Sequence, residues 1–140
     1  MFGFLPTRVH GFLDYLMGIV LVAAPLALNF GAGPQTWLPV LLGGGLIISS
    51  LFTEYELGVV PLMPVHSHLI LDTLAGLMLA ASPWFFGFAW EIWVPHVALG
   101  LVAVAIAAFT QTRAWPGVQP TIQFRPEPAE GPVGELRATA

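Results

Sequence analysis

Residues 10–30, HGFLDYLMGIVLVAAPLALNF, return at residues 68–88 as HLILDTLAGLMLAASPWFFGF. A shift of 58 lays His10 on His68, Asp14 on Asp72, Gly18 on Gly76, Pro25 on Pro83 and Phe30 on Phe88. A second match at a shift of 57 lays Gly43 on Gly100, Phe52 on Phe109 and Thr53 on Thr110. Self-similarity at a fixed period marks a repeat architecture. The chain therefore divides into a first repeat over 1–57, a second over 58–113 and a Pro-rich tail over 114–140.

Each repeat holds two apolar stretches. Of 140 residues, 56% are hydrophobic and 9% charged, where soluble domains average about 25% charged residues. So small a chain cannot hide that much apolar surface in a water-soluble core, so the lipid bilayer is the expected solvent and first partner. A span needs about 20 predominantly apolar residues. Four segments qualify, at about 11–30, 37–53, 68–88 and 92–111. The expected fold class is all-α: a polytopic membrane protein with four transmembrane helices, arranged as two tandem hairpins in parallel repeat. Residues 1–30 resemble a signal peptide, but the internal copy at 68–88 argues for a retained helix.

Charge orients the bundle. Arg8 precedes the first span, Arg113 closes the fourth, and Arg125 and Arg137 lie in the tail. The short connections after Phe30 and Phe88 carry no Lys or Arg, so the termini and the 54–67 loop are expected on the cytoplasmic side. Trp37, Trp84, Trp90 and Trp93 then belong to the opposite interface. With a net charge of −4 and no Lys, no field for nucleic acid exists. Without Cys, thiolate metal sites and disulfides are excluded.

His10, Asp14 and Gly18 are spaced by four, as are His68, Asp72 and Gly76, which puts each trio on one helix face. Ionisable groups within a span are functional candidates by default. The two His/Asp sites could hold a metal, relay protons or grip a haem between helices. The structural alternative is that Asp14 and Asp72 accept hydrogen bonds from the adjacent His, from Tyr55, or from Arg8 and Arg113, and lock the bundle. The structural alternative is the expectation, with no cofactor required. Gly18, Gly76 and the triplet Gly43, Gly44 and Gly45 are expected to let helices pack closely. Glu54 and Glu56 are expected to form cytoplasmic ion pairs with Arg8 or Arg113. His66 falls in the loop and His96 at the interface.

Pro83 in Ser82-Pro83-Trp84 removes a backbone donor and ends or kinks the third span. Ser82 is placed to bond back to the freed carbonyls and Trp84 to anchor the end. Repeat one keeps Pro25 but has Ala24-Pro25-Leu26 in place of the full tripeptide. No enzyme motif is present, and no catalytic residue is assigned.

With Asp72, Gly76, Ser82-Pro83-Trp84 and Gly87 at these spacings, residues 8–113 resemble the SPW-repeat family of small bacterial integral membrane proteins. The first repeat joins the resemblance through Arg8, His10, Asp14, Gly18 and Pro25. The resemblance implies a four-helix protein of the bacterial inner membrane with no assigned activity. The expected role is therefore a non-enzymatic structural or accessory subunit. It would associate with itself or with a larger membrane complex such as a respiratory or photosynthetic one. The alternative is a small protein that handles protons, ions, metal or haem at the His/Asp sites.

Overall fold

The computed structural model describes residues 3–112, so Arg113 and the tail over 114–140 lie outside the described residues. Four helices follow in order: α1 Thr7–Ala27, α2 Pro34–Leu51, α3 Val65–Phe85 and α4 Val94–Phe109. No strand is formed among the described residues beyond two isolated bridges.

The helices start earlier than three of the four expected spans, and prolines are the reason. Pro6 and Pro64 take φ near −60° with extended ψ as N-caps of α1 and α3. Their carbonyls receive the first helical bonds, from His10 N and His68 N. Pro34 opens α2 and Pro95 falls in the first turn of α4, where a missing N–H costs nothing. Proline also governs where α1 and α3 stop. Pro25 and Pro83 each sit two residues before the helix end, so they terminate the helices and do not kink them midway. The chain then turns through Asn29 (φ 50°) in one repeat and Gly87 (φ 79°) in the other, equivalent left-handed positions of the kind that close helices.

Among the described residues, only α1 and α3, at 21 residues each, are long and apolar enough to cross a membrane; α4 is apolar but has 16 residues. At 1.5 Å per residue, α1 and α3 run about 30 Å, the thickness of a bilayer's hydrocarbon core.

Each hairpin is closed by one glycine pair. A Cβ on Gly43 would stand 2.7 Å from Gly18 O, and one on Gly100 would stand 2.5 Å from Gly76 O. Backbone meets backbone at both sites, which only glycine permits. Gly44 and Gly45 face open space instead, so of the triplet only Gly43 packs. The helical faces of a triplet point 100° apart, and one alone can meet α1.

The two hairpins then dock lightly on one another, α2 on α3 and α1 on α4. Met17, Leu21 and Leu79 fill the space between them. At one end the docking is stitched by backbone bonds that repeat. Leu5 N bonds to Phe109 O at 3.0 Å and Gln111 N to Leu5 O at 3.0 Å. One repeat away, Met63 N bonds to Phe52 O at 2.9 Å and Glu54 N to Met63 O at 2.9 Å. The start of each repeat is thus held by the end of the other.

Candidate functional site

The stitched end of the bundle is where α1 and α3 begin, and where spacing by four places their polar residues. His10 and Asp14 on α1 meet His68 and Asp72 on α3, and all four are buried. The i,i+4 contacts within each helix are His10 Nε2–Asp14 Oδ2 at 3.1 Å and His68 Nε2–Asp72 Oδ2 at 3.2 Å. The crossed contacts are as short: His10 Nε2–Asp72 Oδ2 at 3.2 Å and His68 Nε2–Asp14 Oδ2 at 2.9 Å. Four atoms therefore form a closed ring, nitrogen alternating with oxygen. The two imidazoles stand edge to face, their centroids 5.5 Å apart.

Thr110, at the end of α4, sets one imidazole. Its hydroxyl donates to Ile106 O at 2.6 Å, so the same oxygen accepts from His10 Nδ1–H at 2.9 Å. With Nδ1 protonated, Nε2 of His10 is turned to the ring. The Ser50 hydroxyl reaches Asp14 Oδ2 at 3.4 Å, while His68 Nδ1 is buried with no partner. Tyr55 covers one side: its ring packs edge-on to His68 at 5.8 Å and against the bare Cα of Gly11. Burial pushes the Tyr55 phenol above its ordinary range, and its oxygen has no hydrogen-bond partner. Repeat two has no equivalent, since Gly11 corresponds to Leu69 and Tyr55 to Thr112. On the inner side a cavity of about 30 Å³, lined by Asp14, Asp72, Met17, Leu21, Gly76 and Leu79, has room for one or two waters.

The remaining expected residues fall in different places. Ser82 Oγ donates to Leu79 O at 2.7 Å, the carbonyl that Pro83 leaves without its helical donor. Trp84 packs tilted against Trp93 at 6.2 Å, and Trp37 meets Phe86 at 5.7 Å, so these tryptophans gather at the end opposite the ring. The ion pairs expected for Glu54 and Glu56 with Arg8 are not formed among the described residues. Arg8 is exposed, and Glu56 accepts the Thr7 hydroxyl at 2.8 and 3.0 Å instead. One neutral donor a short reach away, the Thr7 hydroxyl, satisfies the carboxylate, while Arg8 lies exposed on α1. His66 lies in the first turn of α3, exposed, and not in a loop. His96 is buried, packed by Phe30 and Phe88, with Nε2 donating to Gln35 O at 3.0 Å.

Sequence reasoning passed over Thr110, Ser50, Gly11 and Gly100, and the Gln35 Nε2–Glu91 Oε2 bond of 3.1 Å at the tryptophan end. For Thr110 and Gly100 the signal existed, since both lie in the internal match at a shift of 57. Ser50 and Gly11 carry none.

In comparisons with known proteins, the model of the SPW repeat domain matches residues 8–110. That is most of the chain, and the chain belongs to this family. Comparison with curated proteins and with solved structures gives no match.

Proposed function

We propose that this member of the SPW repeat domain family is a four-span, non-enzymatic protein of the bacterial inner membrane with both termini cytoplasmic. In this reading it is a structural or accessory subunit that associates with copies of itself or with other membrane subunits. The observation that carries the reading is the outer surface. Large apolar side chains stand exposed along every helix, among them Phe12, Ile19, Leu41, Ile48, Leu74 and Leu101. An apolar exterior of that extent belongs in lipid or against another apolar surface. The interior supports the non-enzymatic half: the ring groups are spent on one another, and the adjoining cavity is small, about 30 Å³. A haem has no room between His10 and His68, because both carboxylates bridge the two imidazoles.

The absence of Cys makes the test direct. Single substitutions Ala32→Cys, His66→Cys and Ala89→Cys are to be labelled from each side of the membrane in cells. Ala32→Cys and Ala89→Cys should react from outside, and His66→Cys only after permeabilisation. Labelling of all three from one side would refute four spans. Native purification in mild detergent with mass spectrometry tests the association; a chain that runs alone as a monomer under native conditions refutes it.

A further inference from the structure

We propose that the His10–Asp14–His68–Asp72 ring is a binding site for one first-row divalent metal ion, of which Zn²⁺ is the reference case. The inference stands apart from the accessory role and rests on the ring alone.

Its geometry is that of a coordination shell. Neighbouring donor atoms are 2.9 to 3.2 Å apart around the ring, and the four offer one donor each. The centre of four atoms with such edges lies about 1.9–2.2 Å from each, whether they are flat or tetrahedral. Zinc bonds to imidazole nitrogen at about 2.0–2.1 Å and to carboxylate oxygen at about 2.0–2.2 Å. A second, independent feature is the N–H that His10 turns outward. A ligating imidazole must turn a bare nitrogen to the ion and usually donates its other N–H outward. His10 does so through Nδ1–H to Thr110, whose own proton is committed to Ile106 O.

Charge balance favours the same ion. Four buried groups tolerate little net charge. Two carboxylates with two imidazoliums are neutral, and two carboxylates with two neutral imidazoles and a dication are neutral as well. Any proton held on a ligating Nε2 leaves to solvent as the ion binds, and the freed lone pair forms the bond to the metal. Nothing is oxidised or reduced. Four protein donors are the number that a structural zinc site uses, so an ion that draws them into a tetrahedron keeps no position for substrate. The ion would clasp α1 to α3, two helices whose hairpins otherwise touch lightly.

The test uses the full chain in mild detergent, stripped with a chelator and titrated calorimetrically with ZnCl₂ and, separately, CoCl₂. One ion per chain is expected, with proton release read from the dependence of the binding enthalpy on the buffer's ionisation enthalpy. Affinity should fall on acidification, because protons compete with the ion for the ligand atoms. Bound Co²⁺ should give the intense visible bands of a four-coordinate ion. The Asp14→Asn/Asp72→Asn double variant should lose the ion, and Gly44→Ala should keep it. Folded wild-type chain that takes up no stoichiometric ion overturns the proposal. So does uptake retained by the double variant, or a weak six-coordinate Co²⁺ spectrum. The cobalt spectrum of the wild type decides even if the double variant fails to fold. Cysteine labelling and native mass, which test the proposed role, are unaffected by either result.

Discussion

Two glycine-to-alanine substitutions, chemically identical, should change stability with opposite signs. A Cβ at position 100 would meet Gly76 O at 2.5 Å, Ala80 N at 2.6 Å and the Ala80 Cβ at 2.9 Å. Two of those atoms are backbone of α3, so no rotamer change relieves them, and the helices must separate by roughly 1 Å to reach ordinary contact. Overpacking of this kind costs about 1–3 kcal/mol. At position 44 an added Cβ meets nothing within 4 Å, and replacing glycine inside a helix gains about 0.5–1 kcal/mol. Gly100→Ala and Gly44→Ala should therefore differ by about 1.5–4 kcal/mol, or roughly one to three powers of ten in the unfolding constant. The assay is reversible unfolding in mixed micelles of mild detergent and dodecyl sulfate, followed by far-UV circular dichroism. Equal destabilisation by both variants would refute the assignment of the packing face, and a neutral Gly100→Ala would refute the close backbone approach.

Removal of one ring member should be severe. Asp72→Leu leaves two buried imidazoles short of a carboxylate and should cost about 3–5 kcal/mol in the same assay; a loss below 1 kcal/mol would mean the ring is not closed in solution. Ser82→Ala strips the donor from Leu79 O and should cost about 1–3 kcal/mol. The reciprocal Ala24→Ser supplies the hydroxyl that repeat one lacks and should gain about 0.5–1.5 kcal/mol at the carbonyl freed by Pro25; a loss would show that the two proline sites are not equivalent. Tyr55→Phe deletes a buried hydroxyl that has no partner and should be neutral or stabilising by about 1 kcal/mol in thermal melts.

The duplication made much of this molecule readable in one dimension. Spacing by four determines that His10 and Asp14 share a helix face, and a second copy of that face follows without further information. Proline positions likewise account for both ends of α1 and α3, although the initiating role of Pro6, Pro34 and Pro64 was hidden behind the apolar pattern. Crossed pairing was not readable. Whether His10 meets Asp72 depends on how two hairpins dock, and local spacing holds no term for that. The glycine triplet misled for a related reason: density of small residues draws attention, while contact depends on which one the register turns toward α1. Gly100, alone in α4, packs more tightly than Gly44 or Gly45. His96 shows the limit of reading by hydropathy, since an imidazole beside a span end reads as interfacial until Phe30 and Phe88 close over it.

The reciprocal stitching of Leu5 to Gln111 and of Met63 to Glu54 leaves the order of the halves without mechanical meaning. Residue 5 begins where residue 110 ends, so the described residues form nearly a loop, cut at one of two interchangeable places. A circular permutant of the described residues opened between Leu57 and Val60, with residues 3 and 112 joined by a short linker, should reach the same native state. A single hairpin expressed alone carries half of the polar clasp and should find its complement only in a twin.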